Sequence, residues 1–179
     1  LDTSKLPTVI DGLVYCPGSI NLRPFRGLKP EAFEADLQIN FISLVKVIQA
    51  ALPNLTAGEQ SSIVLFSSVA ASMGMPFHTS VAAAKGAIEG FAKALAAEYA
   101  PKIRVNVIAP SLTDTPLADK FLNNETKQEK SAERHPLKRF GKPEDSAQMA
   151  SFLLSDKSSW ISGQIFHVDG GMSTLLVNG

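Results

Sequence analysis

Apolar residues along this chain alternate between two patterns. Short, largely apolar runs occupy residues 9–15, 62–66, 103–109 and 163–168, and each ends in turn chemistry: Cys16-Pro17-Gly18, Ser67-Ser68, Pro110-Ser111 and Asp169-Gly170-Gly171. Runs of that length, rich in Val and Ile and stopped by Gly, Pro or Ser, predict strands, the first buried and that at 62–66 of the kind covered on both faces. Between them the period lengthens to that of a helix. One helix is predicted to start at Pro30, whose ring suits a first turn, and to run to about Leu52, before Pro53. Phe33, Leu37, Phe41, Leu44, Val45, Ile48 and Ala51 form its main stripe, while Ile39, Ile42 and Val47 spill onto a second face, which predicts burial on two sides. A small-residue helix is predicted over residues 78–99, with Val81, Ala84, Ile88, Phe91, Leu95 and Ala96 as its apolar positions. The last helix follows Lys142-Pro143-Glu144-Asp145 and ends near Leu154. Residues 113–139 are polar and loosely periodic, the pattern of a mobile loop-and-helix excursion.

Strands separated by helices predict an α/β fold, a doubly wound parallel sheet with helices on both faces, forming a single domain over residues 1–179. In such sheets ligands bind beyond the carboxyl ends of the strands, so the four turn sequences are the first places to seek a site. Seventeen basic residues balance seventeen acidic ones, which gives no electrostatic reason to expect a nucleic acid or an anionic membrane as partner. No run of eighteen apolar residues and no basic-then-apolar leader is visible, so neither a membrane span nor a signal peptide is predicted. The lone Cys16 can form no internal disulfide and is expected to be a small apolar core residue in a cytoplasmic protein. His78, His135 and His167 lack the spacing of helical metal ligands, so no metal site is expected.

The segments from Ile63 to Ser68, from Ile103 to Pro110, and from Pro136 through Gly171 resemble, in order and spacing, the later part of the short-chain dehydrogenase/reductase family, whose fold is Rossmann-like. The resemblance implies an oxidoreductase that moves hydride between NAD or NADP and a small carbonyl, alcohol or activated alkene. It implies that Ser68 hydrogen-bonds the substrate oxygen. It assigns Lys85, 17 residues later, to the nicotinamide ribose, and Asn40 to a helix irregularity that holds a relay water. Gly18, Pro110, Ser111, Thr113 and Thr115 are implied cofactor contacts, with Asp2 at the adenine.

The sequence departs from the family at one chemical position above all. The family's acidic tyrosine, four residues before the lysine, is Val81 here, and a valine neither donates nor accepts a proton. His78 lies two turns before Lys85 on the same face and is the candidate proton donor in its place. The family's Asn-Asn-Ala-Gly turn reads Tyr15-Cys16-Pro17-Gly18, where Tyr15 is read as a core aromatic at a strand end, and the Pro-Gly turn has Ser111 as its second residue. The glycine-rich phosphate loop of the family would precede Leu1, and an upstream segment is expected to supply it. A catalytically inactive relative that binds cofactor or ligand, or serves an oligomer, is the alternative function. The resemblance also implies that the two long helices pack against another subunit, and outward-facing Ala, Val and Phe on the second of them favour a homodimer or homotetramer.

Overall fold

A computed structural model of the chain describes residues 3–177. Asp2, expected at the adenine, lies outside the described residues. Strands β1 (Gly12–Tyr15), β2 (Ser61–Phe66), β3 (Ile103–Pro110) and β4 (Ile165–Val168) form one sheet in chain order, every neighbouring pair parallel. Helices α1 (Pro30–Leu37), α2 (Ser43–Thr56) and α3 (Thr79–Tyr99) cover one face. The other face carries α6 (Pro143–Leu154), and the short α4 (Asp119–Leu122) and α5 (Glu125–Glu133) follow β3. The predicted α/β class is therefore observed.

Strand alternation decides which side chains feed which core. Ile63 and Leu65 of β2, with Val105 and Val107 of β3, meet Leu44, Ile48, Ala51 and Leu55 of α2 and Ile88, Ala92, Leu95 and Ala96 of α3. Val64 and Ile108 point the opposite way, onto Ala150 and Leu153 of α6. The end of α6 is fixed to the sheet by polar groups that would otherwise be orphaned in the interior. Ser62 Oγ donates to the Leu153 carbonyl at 2.7 Å, and buried Arg104 donates to the carbonyls of Leu153 and Ser158, each at 3.0 Å. These bonds occupy carbonyls that a helix terminus leaves without partners.

Several boundaries differ from those expected. The first strand starts at Gly12, not Val9, because Ile10 N–H bonds the Asn54 carbonyl of α2 instead of a strand partner. The first long helix does not stop at Leu52. It passes through Pro53 to Thr56, since buried Leu55 holds the last turn in the core, and Asn54 Nδ2 (2.7 Å to the Pro7 carbonyl) ties it to the chain start. That continuous stretch, Pro30–Thr56, is long and apolar enough to cross a membrane by composition alone, yet Leu44, Ile48, Ala51 and Leu55 are core residues of the sheet layer. Its second face is not buried on both sides as expected: Ile39 is 44% exposed and Ile42 37%. The 113–139 excursion is more ordered than a mobile loop. It is held by α4, α5 and buried Ala118, Leu122, Ser131 and His135. Asp169-Gly170-Gly171 is the expected tight turn: both glycines take positive φ, and the Asp169 carboxylate accepts from the N–H groups of Gly171 and Ser173, each at 2.9 Å.

Candidate active site

A cavity of about 1000 Å³ opens beyond the carboxyl ends of all four strands, the place where a parallel sheet gathers the chain's turns. Gly18, Ser68, His78, Val81, Lys85, Pro110, Ser111, Thr113 and Thr115 all line it. Among the described residues expected at the site, Asn40 is not in the wall and stands directly behind Gly18.

Ser68 follows β2 and caps the short turn Val69–Ala71, its Oγ accepting from Ala70 N–H at 3.2 Å. With that lone pair engaged, its hydroxyl proton is free to point into the cavity. His78 at the N-cap of α3, and Val81 and Lys85 one and two turns into it, all line the cavity. Lys85 is only 7% exposed and donates to the Phe66 carbonyl at 2.9 Å. Burial lowers its pKa to about 8, a loss of solvation that the nearby Cys16 thiol partly opposes. His78 Nδ1 lies 2.7 Å from the Pro76 carbonyl. A carbonyl only accepts, so Nδ1 carries a hydrogen and Nε2 is the position left to take or give a proton.

Asn40 sits within a π-helical turn, Gln38–Ile42, between α1 and α2, which is the irregularity expected there. The turn is stitched by polar contacts: Asn40 Nδ2 donates to the Asp36 carbonyl and to Ser19 Oγ, both at 2.8 Å, and its Oδ1 accepts from Ser19 N–H at 3.3 Å. Ser19 Oγ in turn donates to the Asp36 carboxylate at 2.7 Å. Between this network and Lys85 runs Gly18. A Cβ there would lie 3.2 Å from Asn40 Oδ1 and 3.3 Å from Lys85 Nζ, a tight approach that a side chain could enter only by displacing those groups by a few tenths of an ångström.

Two expectations are corrected. Cys16 is not a core residue; it is exposed and lines the cavity, because β1 ends at Tyr15 and leaves the next residue at the mouth. Burial nevertheless raises its thiol pKa, with Lys85 pulling the other way. Val81 is not outward-facing: it is buried and turned to the cavity, so it contributes nothing to an external face of α3. Tyr15 is the core aromatic expected at a strand end, its hydroxyl donating to the Ile39 carbonyl at 3.3 Å.

Sequence spacing gave no hint of His135. It is 2% exposed, reaches the same cavity, and bonds the Ser131 carbonyl through Nδ1 (2.6 Å) and Ser111 Oγ through Nε2 (2.8 Å). The first bond fixes Nδ1–H, so Nε2 accepts the Ser111 proton and the serine's remaining lone pairs are left for a ligand donor. Ser111 and His135 are 24 residues apart, and only the folding of the excursion back over β3 unites them. Among the described residues no group of three His, Cys, Asp or Glu is placed to hold a metal.

A parallel sheet thus sets a serine just after one strand and a buried lysine on the following helix in the wall of one cavity. The family profile described as enoyl-(acyl carrier protein) reductase matches residues 3–173, and the chain belongs to this family of short-chain dehydrogenases/reductases. It is 39% identical over 146 residues to a 3-oxoacyl-[acyl-carrier-protein] reductase of Thermotoga maritima, covering 81% of this chain and 58% of that protein. An inactive 2-(S)-hydroxypropyl-CoM dehydrogenase 2 of Xanthobacter autotrophicus is 34% identical, over 93% of this chain and 74% of its own. Among solved structures, a gluconate 5-dehydrogenase of Burkholderia cenocepacia in complex with NADP and tartrate superposes with a TM-score of 0.89 at 26% identity, over 97% of this chain and 68% of the other. The chain thus spans under two thirds of the length of the Thermotoga reductase.

Proposed function

We propose that the protein is an NAD(P)-dependent oxidoreductase acting on a small carbonyl, alcohol or activated alkene. The observation that carries this reading is the convergence of buried Lys85, the unencumbered Ser68 hydroxyl and the backbone of Gly18 in one cavity beyond the strand ends. The residues present fit a nicotinamide nucleotide. Gly18 keeps its backbone free of a side chain where a Cβ would crowd Asn40 and Lys85, and Lys85 presents a buried ammonium beside that space, suited to ribose hydroxyls. Pro110, Ser111, Thr113 and Thr115 would lie along the nicotinamide and its phosphates, with Ser111 oriented by His135. When bound, the cofactor supplies or accepts the hydride.

The chain's own contribution is electrostatic. Ser68 donates its free proton to the substrate oxygen, stabilising the charge that develops there. Lys85, charged at neutral pH, adds positive potential in a site walled largely by apolar groups. Val81 supplies no proton, so the donor is His78 through Nε2, at the N-cap of α3 three residues before Val81. Cytoplasmic location and a homodimer or homotetramer joined through α1, α2 and α3 complete the reading, the exposed Ile39 and Ile42 being the apolar side chains available to such a contact.

A second reading, a non-catalytic cofactor-binding relative, is favoured by one specific fact: the side chain one turn before Lys85 is an inert, buried valine. The test is an assay of the intact protein with NADH and NADPH against a panel of ketones and enoyl thioesters, beside His78→Ala and Val81→Tyr. Wild-type turnover that falls at least tenfold in His78→Ala supports the first reading. An inert wild type that gains activity on Val81→Tyr establishes the second.

A further inference from the structure

Charge on α5 is sorted by face. Glu125, Glu129 and Glu133 recur every four residues, while Lys127, Lys130 and Arg134 recur at three and four, so each set runs as a stripe along the helix. The basic stripe turns to the cavity, where Lys120 joins it, and no aspartate or glutamate stands among the described residues of the cavity wall. In a chain whose formal charges sum to zero, that sorting does not follow from composition. Like charges recur four apart in Glu125 and Glu129, Glu129 and Glu133, and Lys130 and Arg134, a spacing that destabilises, against one opposite pair, Lys130 and Glu133, three apart.

Two of the four cations have structural tasks. Lys120 Nζ donates to the Ile20 carbonyl at 2.9 Å, and Lys127 Nζ donates to the Lys120 carbonyl and Asn123 Oδ1, both at 2.8 Å, bracing the excursion over the site. Lys130 and Arg134 have no hydrogen-bond or ion-pair partner among the described residues. They therefore present two cationic groups with no bonded partner among the described residues to a cavity whose wall also carries apolar Leu112, Leu117 and Phe121. Low-dielectric walls around charge of one sign concentrate its field on whatever enters. A guanidinium fork beside an ammonium matches the dianionic, many-acceptor surface of a phosphate group.

We infer that Lys130 and Arg134 recognise a phosphate carried by the substrate: its reducible end reaches Ser68, its middle lies along Leu117 and Phe121, and its phosphate rests on α5. This rests on the oxidoreductase reading above and names the substrate class for that site. The cofactor's own phosphates are the other source of the same chemistry, and binding measurements separate the two.

The intact protein and its Lys130→Gln/Arg134→Gln double variant are titrated calorimetrically with four probes: NADH, NADPH, acetoacetyl-coenzyme A, and the acetoacetyl thioester of N-acetylcysteamine, which carries no phosphate. The wild type is expected to bind the coenzyme A thioester at least tenfold more tightly than the phosphate-free one. The double variant should lose that preference while binding NADH and NADPH within twofold of wild type. Both side chains are exposed and bond to no described residue, so its thermal midpoint should stay close to that of wild type, and lost binding then reads as lost contacts. Equal affinity of the wild type for the two thioesters overturns the inference. So does a variant whose affinity falls for NADH or NADPH and not for the coenzyme A thioester, since the cations then serve the cofactor. Binding is read without turnover: a protein inert toward every carbonyl that still discriminates the two thioesters through Lys130 and Arg134 retains the phosphate site and loses the oxidoreductase reading.

Discussion

Lys85 is a cation that the fold buries at a measurable cost, and Lys85→Met exposes that cost. The side chain is 7% exposed, and burial brings its pKa down from 10.5 to about 8. At about 1.4 kcal/mol per pKa unit, holding the charged form in place costs the cofactor-free protein about 3 kcal/mol at neutral pH. Methionine keeps most of the side-chain volume and removes the charge, while the bond to the Phe66 carbonyl, about 1–2 kcal/mol for a charged donor, is lost. Lys85→Met should therefore be more stable than wild type by about 1–2 kcal/mol at pH 7. The pH dependence makes the argument specific. Between pH 8 and 10.5 the unfolded wild type keeps a proton on this amine that the folded protein releases, so its stability gains about 1.4 kcal/mol per pH unit across that window. The variant lacks this term, and its advantage should shrink and reverse by pH 10. Urea denaturation of both proteins at pH 6, 7, 8, 9 and 10 measures the difference directly. A variant less stable than wild type at pH 7, or a stability difference that does not change across pH 8–10, refutes the account. Activity or cofactor binding should be lost at every pH, as expected where a destabilising group is retained for function.

Other substitutions test separate links. Gly18→Ala should weaken NADH binding at least tenfold in a fluorescence titration, because its Cβ would stand 3.2 Å from Asn40 Oδ1 and 3.3 Å from Lys85 Nζ; unchanged affinity would show that the turn has room to yield. Val81→Tyr should add an acid one turn before Lys85 and raise turnover with a ketone by about 10²-fold or more, the range ascribed to a positioned general acid; a folded variant with unaltered rate would show that the phenol does not reach the substrate. Asp145→Asn should cost about 1 kcal/mol in chemical denaturation through the start of α6, where the carboxylate accepts from Lys142 N–H and pairs with Arg139 at 2.6 Å. The Arg139 bonds, then that N–H, hold the Asp145 pKa at about 2, so its contribution should persist above the usual carboxylate range and fade as pH drops toward 2.

The strands were readable because covered parallel strands write themselves as short runs rich in Val, Ile and Leu; residues 62–66 and 103–109 lie within β2 and β3, with Arg104 and Asn106 interrupting the second run. The turn positions carrying Ser68, Pro110 and Ser111 followed from where those runs stop, and the common placing of His78, Val81 and Lys85 at the cavity followed from helical spacing. Tertiary packing decided the rest. Pro53 reads as a helix stop, yet the burial of Leu55 carries α2 past it. Cys16 reads as a small core residue, yet the turn after β1 leaves it exposed at the cavity mouth. His135 gave no signal, because a contact across 24 residues depends on how a polar excursion folds over the sheet. Local periodicity records which side of an element is buried. It does not record what covers that side, and at this site the cover supplies His135 and the cations of α5.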